Sequence, residues 1–302
     1  MPMRPSRAVR VLEHRLDTLL DHVEGARAGH VEDVHQARVA SRRLREALPV
    51  VGASAPRRVL RRGRRRVRRL TQALGPVREM DVALGVLSEE AAASDEHAHA
   101  ALAVQRRVDR ERARRRAALL DALAPAEIAA TVEAVREVGH RMGPGAAAWH
   151  AALAHRTGVR AAALRASVEA AGLLYSSGAL HAVRIAAKKL RYALELARDL
   201  RAARSTRAVE TLKDVQETLG RLHDLDVLAG FANGTADGDE MAGAESALVN
   251  HLQAEARRLH ADYLENRHRL LAIAATAATR VPATIRRAHR PARAAAAADP
   301  RR

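Results

Sequence analysis

Apolar residues recur at helical spacing along almost the whole chain. In the first segment, Leu12, Leu16 and Leu19 fall on one face when residues are placed at about 100° intervals. The chain is therefore predicted to be all-α. The predicted helices cover residues 6–26, 33–48, 56–75, 77–93, 94–123, 127–141, 146–170, 179–203, 206–219 and 240–278.

Glycine and proline mark the predicted ends of these helices. Pro49 is expected to stop the second helix, and Gly75 with Pro76 to separate the third from the fourth. Gly220 is expected to end the helix that begins at residue 206. The densest group of breakers, Gly143-Pro144-Gly145, divides the chain into two halves, 1–142 and 146–280, followed by a basic tail over 281–302 that is predicted to be disordered.

One segment occurs twice. Residues 34–45 read VHQARVASRRLR and residues 180–191 read LHAVRIAAKKLR, at a constant offset of 146 (181 − 35). A second pair, LGPVREMDV at 74–82 and LGRLHDLDV at 219–227, recurs in the same order at an offset of 145 (220 − 75). Two recurrences in one order at nearly one spacing indicate an internal duplication. The chain is therefore predicted to form two pseudo-symmetric helical bundles.

Each copy of the first segment is an amphipathic helix with a basic stripe. His35, Arg38, Arg42 and Arg45 fall within an arc of roughly 80°, and Leu44 lies on the apolar side that would face a core. Arginines three to four residues apart rise about 5 Å per step, so a linear anion can contact them in sequence.

Composition changes this picture mainly through charge. Fifty-two Lys and Arg residues against 35 Asp and Glu give a net charge of +17, which indicates a polyanionic partner. Codon bias in an Ala- and Arg-rich chain explains the total charge equally well, but explains the two stripes less well. Hydrophobic residues make up 48% and aromatics only 2%, which favours closely packed helices over a β-sandwich.

The same composition excludes several kinds of site and location. There is no cysteine, so disulfides and thiolate metal sites are excluded. Residues 1–10 have no apolar signal region, and no apolar run approaches the ~20 residues of a spanning helix. The expectation is a cytoplasmic protein without membrane insertion.

Two acidic residues and one basic helix have structural interpretations. Asp81 and Asp226 are expected to cap helix starts or to pair with basic residues. In the helix over 94–123, arginines between residues 106 and 116 alternate with Asp109 and Glu111, which favours a solvated face.

The paired motifs resemble those of the CHAD domain, the conserved histidine α-helical domain. The resemblance rests on His-x-x-Arg-x-x-x-[Arg/Lys]-[Arg/Lys]-Leu-Arg followed by Leu-Gly-x-x-x-Asp-x-Asp, twice, and covers roughly residues 6–276. In the first copy Glu79-Met80-Asp81 replaces Asp-x-Asp, and Arg78 stands where the second copy has His223. The resemblance implies two four-helix bundles with basic faces lining a central groove or pore. It also implies a module that binds inorganic polyphosphate and is not an enzyme, with polyphosphate granules as one possible location.

The candidate polyphosphate-binding residues follow from the stripe, its second copy and the adjacent helix. His35 and His181 have two interpretations, as hydrogen-bonding structural residues or as phosphate donors whose pKa the bound anion raises. Neither histidine has a second one at i+4, so no metal or cofactor is predicted. The full set is His35, Arg38, Arg42, Arg43, Arg45, Arg68, His181, Arg184, Lys188, Lys189, Arg191 and Lys213.

Two other functions remain open. A basic helical protein could bind nucleic acid, although the chain offers few aromatics for stacking and no zinc-finger or RNP pattern. An enzyme acting on polyphosphate would need a general base and Mg²⁺ ligands near the stripe. The acidic candidates Asp81, Asp224 and Asp226 are too scattered along the sequence to favour it.

Overall fold

The computed structural model describes residues 6–93, 95–143, 146–201, 205–233 and 239–288, and this part of the chain is helical without strands. A short 3-10 turn, Gly52–Ser54, links the third and fourth helices. The α-helices are α1 (Arg7–Leu20), α2 (Val23–Ala28), α3 (Val31–Val51), α4 (Arg57–Ala93), α5 (Asp95–Ala122), α6 (Pro125–His140), α7 (Ala146–Ala171), α8 (Ser177–Asp199), α9 (Thr206–Ala232) and α10 (Asp239–Ala288).

The all-α prediction is confirmed, but several predicted helix ends are wrong. The first helix ends at Leu20, and the short α2 that follows ends at Ala28 and is capped by Gly29, whose φ of 97° is left-handed. Pro49 lies inside α3, which continues to Val51. The last helix reaches Ala288, ten residues beyond its predicted end at 278. Most of the predicted tail, residues 289–302, lies outside the described part of the chain.

The predicted breaks at Gly75-Pro76 and Gly220 are also wrong, because α4 and α9 run through them without interruption. Pro76 has no N–H to donate to the preceding turn, yet Leu74 and Val77 on either side of it are fully buried. Packing of both flanks into the core therefore outweighs the lost helical hydrogen bond. Asp81 and Asp226 consequently lie within helices and do not cap helix starts.

Helices pack in chain order within each half of the sequence. In the first half α1 packs on α3, α3 on α4 and α4 on α5, while α6 packs on α4. In the second half α7, α8, α9 and α10 follow the same order, and α10 returns to pack along α7. The halves meet where α3 contacts α7 and α8, α4 contacts α9 and α5 contacts α10. The pseudo-twofold relation itself stays a prediction.

The core is built from small and branched aliphatic side chains. Leu44 on α3 and Leu190 on α8, which are the same position in the two copies, are both fully buried within one hydrophobic cluster. Each basic-stripe helix is thus anchored by its apolar side, which fixes the direction in which its arginines and lysines point.

The two motif aspartates fasten neighbouring elements. Asp81 Oδ1 accepts a hydrogen bond from Arg112 Nε of α5 at 2.6 Å. Asp226 Oδ1 accepts one from the Tyr175 hydroxyl, in the segment before α8, at 2.5 Å. Pairing with a basic residue, one of the two expected roles, is therefore confirmed for Asp81.

The solvated face predicted for α5 is only partly correct. Arg107 Nη2 lies 2.7 Å from Glu245, Arg115 Nη1 lies 2.8 Å from Glu79, and Arg116 Nη2 donates to the Arg27 carbonyl at 2.6 Å. These arginines hold α5 against its neighbours. Those that do face solvent are Arg106, Arg110 and Arg114.

None of the helices in the described ranges combines the length and the apolar character that crossing a bilayer requires.

Replacing Asp81 with Ala should destabilise the fold. The Asp81 side chain is fully buried, and its loss leaves Arg112, which is 23% exposed, without its carboxylate. We expect the free energy of unfolding to fall by about 2–4 kcal/mol, less than for a wholly buried pair because water reaches Arg112. Urea denaturation measures this change. The control Asp109→Ala, on the exposed face of α5, should stay within about 0.5 kcal/mol; equal losses would contradict the assigned role.

Candidate functional site

A basic cavity of about 740 Å³ lies between α3, α4, α7 and α8. Ten of its fourteen lining residues are Arg or Lys and one is acidic, so the cavity is strongly electropositive. The lining residues are Arg42, Arg45, Glu46, Arg61, Arg64, Arg65, Arg68, Gln72, Arg156, Arg160, Ile185, Lys188, Lys189 and Tyr192.

Both copies of the duplicated segment contribute to this one cavity. Arg42 and Arg45 come from α3, and Lys188 and Lys189 come from α8. All four are half-buried, because their helices bury the opposite, apolar side in the core. The packing of two similar amphipathic helices therefore brings together residues that are nearly 150 positions apart in the sequence.

The outer wall is formed by the arginine-rich start of α4. Its four cavity-lining arginines are exposed, at spacings of three, one and three residues along the helix. These residues form the solvent side of the cavity, and they are Arg61, Arg64, Arg65 and Arg68.

Glu46, the acidic lining residue, is already engaged. Its carboxylate accepts a bidentate pair of hydrogen bonds from Arg156 of α7, with Nη2 at 2.7 Å from Oε2, and two longer contacts of 3.4 Å from Arg160. The buried carboxylate therefore positions two arginines at the cavity wall. Its charge is balanced within the protein and does not compete with a bound anion.

A cluster of cations lies behind the cavity wall. Arg38 and Arg184 join Arg42 and Lys188, which face the cavity. Burial and the repulsion from neighbouring arginines lower the pKa of Arg38 to about 10 and that of Lys188 to about 6. Glu79 and Asp224 oppose this repulsion only in part, so Lys188 is mostly neutral at pH 7.

Three donors of this cluster have no hydrogen-bond partner within the described residues. They are the Nε–H groups of Arg38, Arg42 and Arg184, all buried. A buried donor without a partner costs free energy, about 1–3 kcal/mol and more for a charged group. Three such donors around one cavity therefore favour a ligand rich in acceptor oxygens.

The recurring glycines of the Leu-Gly motifs have a role in this cluster. A Cβ on Gly75 would lie 3.9 Å from Arg38 Nε, and a Cβ on Gly220 would lie 3.9 Å from Arg184 Nε. Arg38 thus passes along a glycine of α4, and Arg184 along the corresponding glycine of α9. The motif marks this close approach of a side chain to a continuous helix.

The two motif histidines lie beside the cluster. Burial lowers the pKa of His35 and of His181, which favours the neutral form of both imidazoles. His181 Nδ1 lies 3.1 Å from Nδ1 of His223, and burial with the nearby Arg184 lowers the pKa of His223 to about 4. In this pair one ring donates and the other accepts, as in the structural interpretation of His181.

The structure divides the twelve candidate residues into three groups. Arg42, Arg45, Arg68, Lys188 and Lys189 line the cavity, while Arg38, Arg184, His35 and His181 surround its inner side. The remaining three, Arg43, Arg191 and Lys213, lie elsewhere.

Those three residues have ion-pair partners of their own. Arg43 Nε lies 3.2 Å and Arg191 Nη1 2.7 Å from the buried carboxylate of Glu195 on α8. Lys213 is exposed and lies 3.6 Å from Glu217 on the same helix. Arg43 and Arg191 correspond to Lys189 and Arg45 in the opposite copies. Both are thus paired with one glutamate and do not line the cavity.

Several cavity residues were absent from the sequence-based set. Arg61, Arg64 and Arg65 belong to a visible arginine run, but the run covers almost every direction around its helix and does not show which members face inward. Arg156 and Arg160 lie one turn apart on α7, an Ala-rich helix with apolar residues all around, and no motif identifies them.

Comparisons with known proteins agree with this architecture. A superposition with PptA from Streptomyces chartreusis includes 89% of this chain and 98% of the PptA chain. The sequence identity is 17% and the TM-score is 0.61. A crystal structure of the CHAD domain from the plant Ricinus communis gives 24% identity and a TM-score of 0.57, with 90% and 91% of the two chains covered. These likenesses show the fold.

No match was found among curated proteins. The sequence model of the CHAD domain, however, matches residues 10–233, which is most of the chain. The protein therefore belongs to the CHAD domain family.

Proposed function

We propose that this protein binds inorganic polyphosphate in the basic cavity and does not transform it. The observation that carries the proposal is the convergence of both copies of the stripe, on α3 and α8, on one cavity with ten lining residues that are Arg or Lys. Membership of the CHAD domain family supports the same ligand.

The arrangement suits a polymer of phosphate groups. Such a chain presents repeated anionic oxygens and no bases, so recognition requires many donors along one path. Arginine offers forked donors that match phosphate oxygens, and lysine offers a compact charge. Arg42, Arg45 and the exposed α4 arginines form a path from the inner cluster to solvent.

The lining residues favour binding over hydrolysis. Metal-assisted phosphoryl chemistry needs carboxylates free to hold Mg²⁺ and a group to activate water. Glu46, the acidic lining residue, is engaged by Arg156 and Arg160.

The aromatic lining residue, Tyr192, does not favour nucleic acid as the ligand. Its ring is buried, and the Arg191 Cζ atom lies 4.9 Å from the ring centroid. No exposed ring is therefore offered there for base stacking.

The first test separates the cavity from the bulk charge. One variant replaces the cavity residues Arg42, Arg45 and Lys188 with Ala. The other replaces three exposed α5 residues with Ala, Arg106, Arg110 and Arg114. Both variants remove three basic residues. Each charge-assisted contact in the cavity contributes about 1.5–3 kcal/mol, so affinity for long-chain polyphosphate should fall at least about a thousandfold. The matched control should lose about tenfold or less.

Filter binding gives the affinities, and circular dichroism checks that both variants keep their helical content. Equal losses with the fold intact would make the cavity merely part of a basic surface. Duplex DNA, RNA and heparin are measured in the same assay, and tighter binding of nucleic acid than of polyphosphate by the unmodified protein would overturn the proposal.

The second test concerns the length of the ligand. Affinity should rise from triphosphate to longer chains until the path is filled, because each added phosphate meets another cation and releases counterions. Titration calorimetry over a series of defined lengths, at several salt concentrations, measures both effects. A triphosphate that binds as tightly as a long chain would indicate a single small pocket.

The third test uses the pH dependence created by Lys188. A bound anion favours the charged amine, whose pKa in the free protein is about 6, so binding at pH 8 takes up a proton. Affinity should rise as pH falls from 8 to 6, by up to about tenfold per pH unit for one coupled proton. Lys188→Arg, which stays charged throughout, should flatten this profile; an unchanged slope in that variant would contradict the assignment.

The stability of the unliganded protein should change in the opposite direction. Because the folded-state pKa of Lys188 lies below its value of 10.5 in an unfolded chain, the unfolded state binds more protons between pH 6 and 10. Stability from this group therefore rises with pH in that window and is lost as pH falls towards 6. Urea denaturation at several pH values distinguishes this effect from ligand binding.

A further inference from the structure

We propose that Glu90, His97 and His251 form a binding site for a zinc-like divalent transition-metal ion, remote from the polyphosphate cavity. Their donor atoms all lie within 4.8 Å of one another. Glu90 comes from the last turn of α4, His97 from the first turn of α5 and His251 from α10. The site therefore joins a hairpin of the first half to the last helix of the second.

The two oxygens of Glu90 face different partners. Oε2 lies 3.2 Å from His251 Nε2 and 4.0 Å from His97 Nδ1, whereas Oε1 lies 3.8 Å from Arg221 Nη2. One oxygen is thus directed at both imidazoles, and the other is held by an arginine. Carboxylates in metal sites are arranged in the same way: one oxygen binds the ion, and the other faces a supporting residue that orients the carboxylate.

Arg221 is itself fixed in place. Its Nη1 lies 2.7 Å from Glu89 and its Nε lies 3.1 Å from Glu255. Because Arg221 has two closer carboxylates, its charge is largely balanced without Glu90. The Glu90 side chain is only 6% exposed, and a buried carboxylate with such long contacts to cations is costly unless a further charge approaches it.

The donor set selects the class of ion. Two imidazoles and one carboxylate suit Zn²⁺, Co²⁺ or Ni²⁺ better than Mg²⁺ or Ca²⁺, which prefer oxygen ligands. Zinc bonds of about 2.0–2.2 Å require donors separated by roughly 3.5 Å. His251 and Glu90 already meet this spacing, whereas His97 Nδ1, at 4.0 Å from Glu90 Oε2, must move towards both other donors when an ion binds. Three protein ligands leave a fourth position for water, on the side where the His251 ring is 43% exposed.

Cobalt is the probe, because Co²⁺ with few ligands has intense visible d–d bands and occupies zinc sites. Tag-free protein is stripped with a chelator and titrated with Co²⁺, then with Zn²⁺. We expect the bands to saturate at one equivalent, to disappear when Zn²⁺ displaces Co²⁺, and the melting temperature to rise with Zn²⁺.

The variants identify the ligands. His251→Ala, at an exposed ring where substitution leaves the fold intact, and His97→Ala should each lose the bands and the zinc-dependent rise in melting temperature. His99→Ala is the matched control, an exposed histidine two residues along α5, and should retain both.

Two results would overturn the site. One is the absence of saturable bands in the unmodified protein, and the other is their persistence in both His97→Ala and His251→Ala, which would place the ion at other histidines. Polyphosphate affinity in chelator should be the same for His251→Ala and the unmodified protein, so failure of the metal site leaves the proposed function untouched.

Discussion

Electrostatic repulsion within a confined volume is the constraint on which the structure depends. Arg38, Arg42, Arg184 and Lys188 lie close enough to lower one another's affinity for protons, in surroundings that hydrate them poorly. Nothing in the chemistry of these side chains brings them together. The apolar sides of α3 and α8, anchored by residues such as Leu44 and Leu190, hold the charges in place against their repulsion. The free energy gained by burying these apolar sides therefore offsets the repulsion among the cations and keeps them close together when no anion is bound.

Acidic residues are distributed so that this state persists. Glu46 and Glu195 are both buried, and each engages two arginines outside the inner cluster. Asp81 ties α5 to α4 in the same manner. The carboxylates thus connect helices and pair with basic residues at the periphery, while the central arginine Nε–H groups find no partner in the part of the chain that the structure describes. Two similar sequence segments acquire different roles through this distribution. Arg43 and Arg191 pair with Glu195, whereas their counterparts Lys189 and Arg45 line the cavity.

The sequence predicted the fold class and the two amphipathic helices α3 and α8 because these depend on periodic patterns within single helices. It failed where distant packing decides the outcome. Gly75-Pro76 has the local signature of a helix end, yet burial of Leu74 and Val77 carries α4 through it. Arg156 and Arg160 reach the cavity only because Glu46, more than a hundred residues earlier, holds them there. Such pairs leave no periodic trace in a single sequence, and neither does the approach of Arg38 to Gly75.

The residues that form the walls of the cavity are also synthesised at different times, because they lie far apart in the sequence. Translation makes Arg45 144 residues before Lys189 (189 − 45), an interval of roughly 7–30 s at typical rates of synthesis. During that interval the arginines of α3 and α4 exist without α7 and α8, and Glu46 lacks its partners. The nascent first half is then an ordinary polycation beside a ribosome made largely of RNA. The proposed selectivity for polyphosphate requires both α3 and α8 at the cavity, so it can begin only once α8 has been made and has docked against α3.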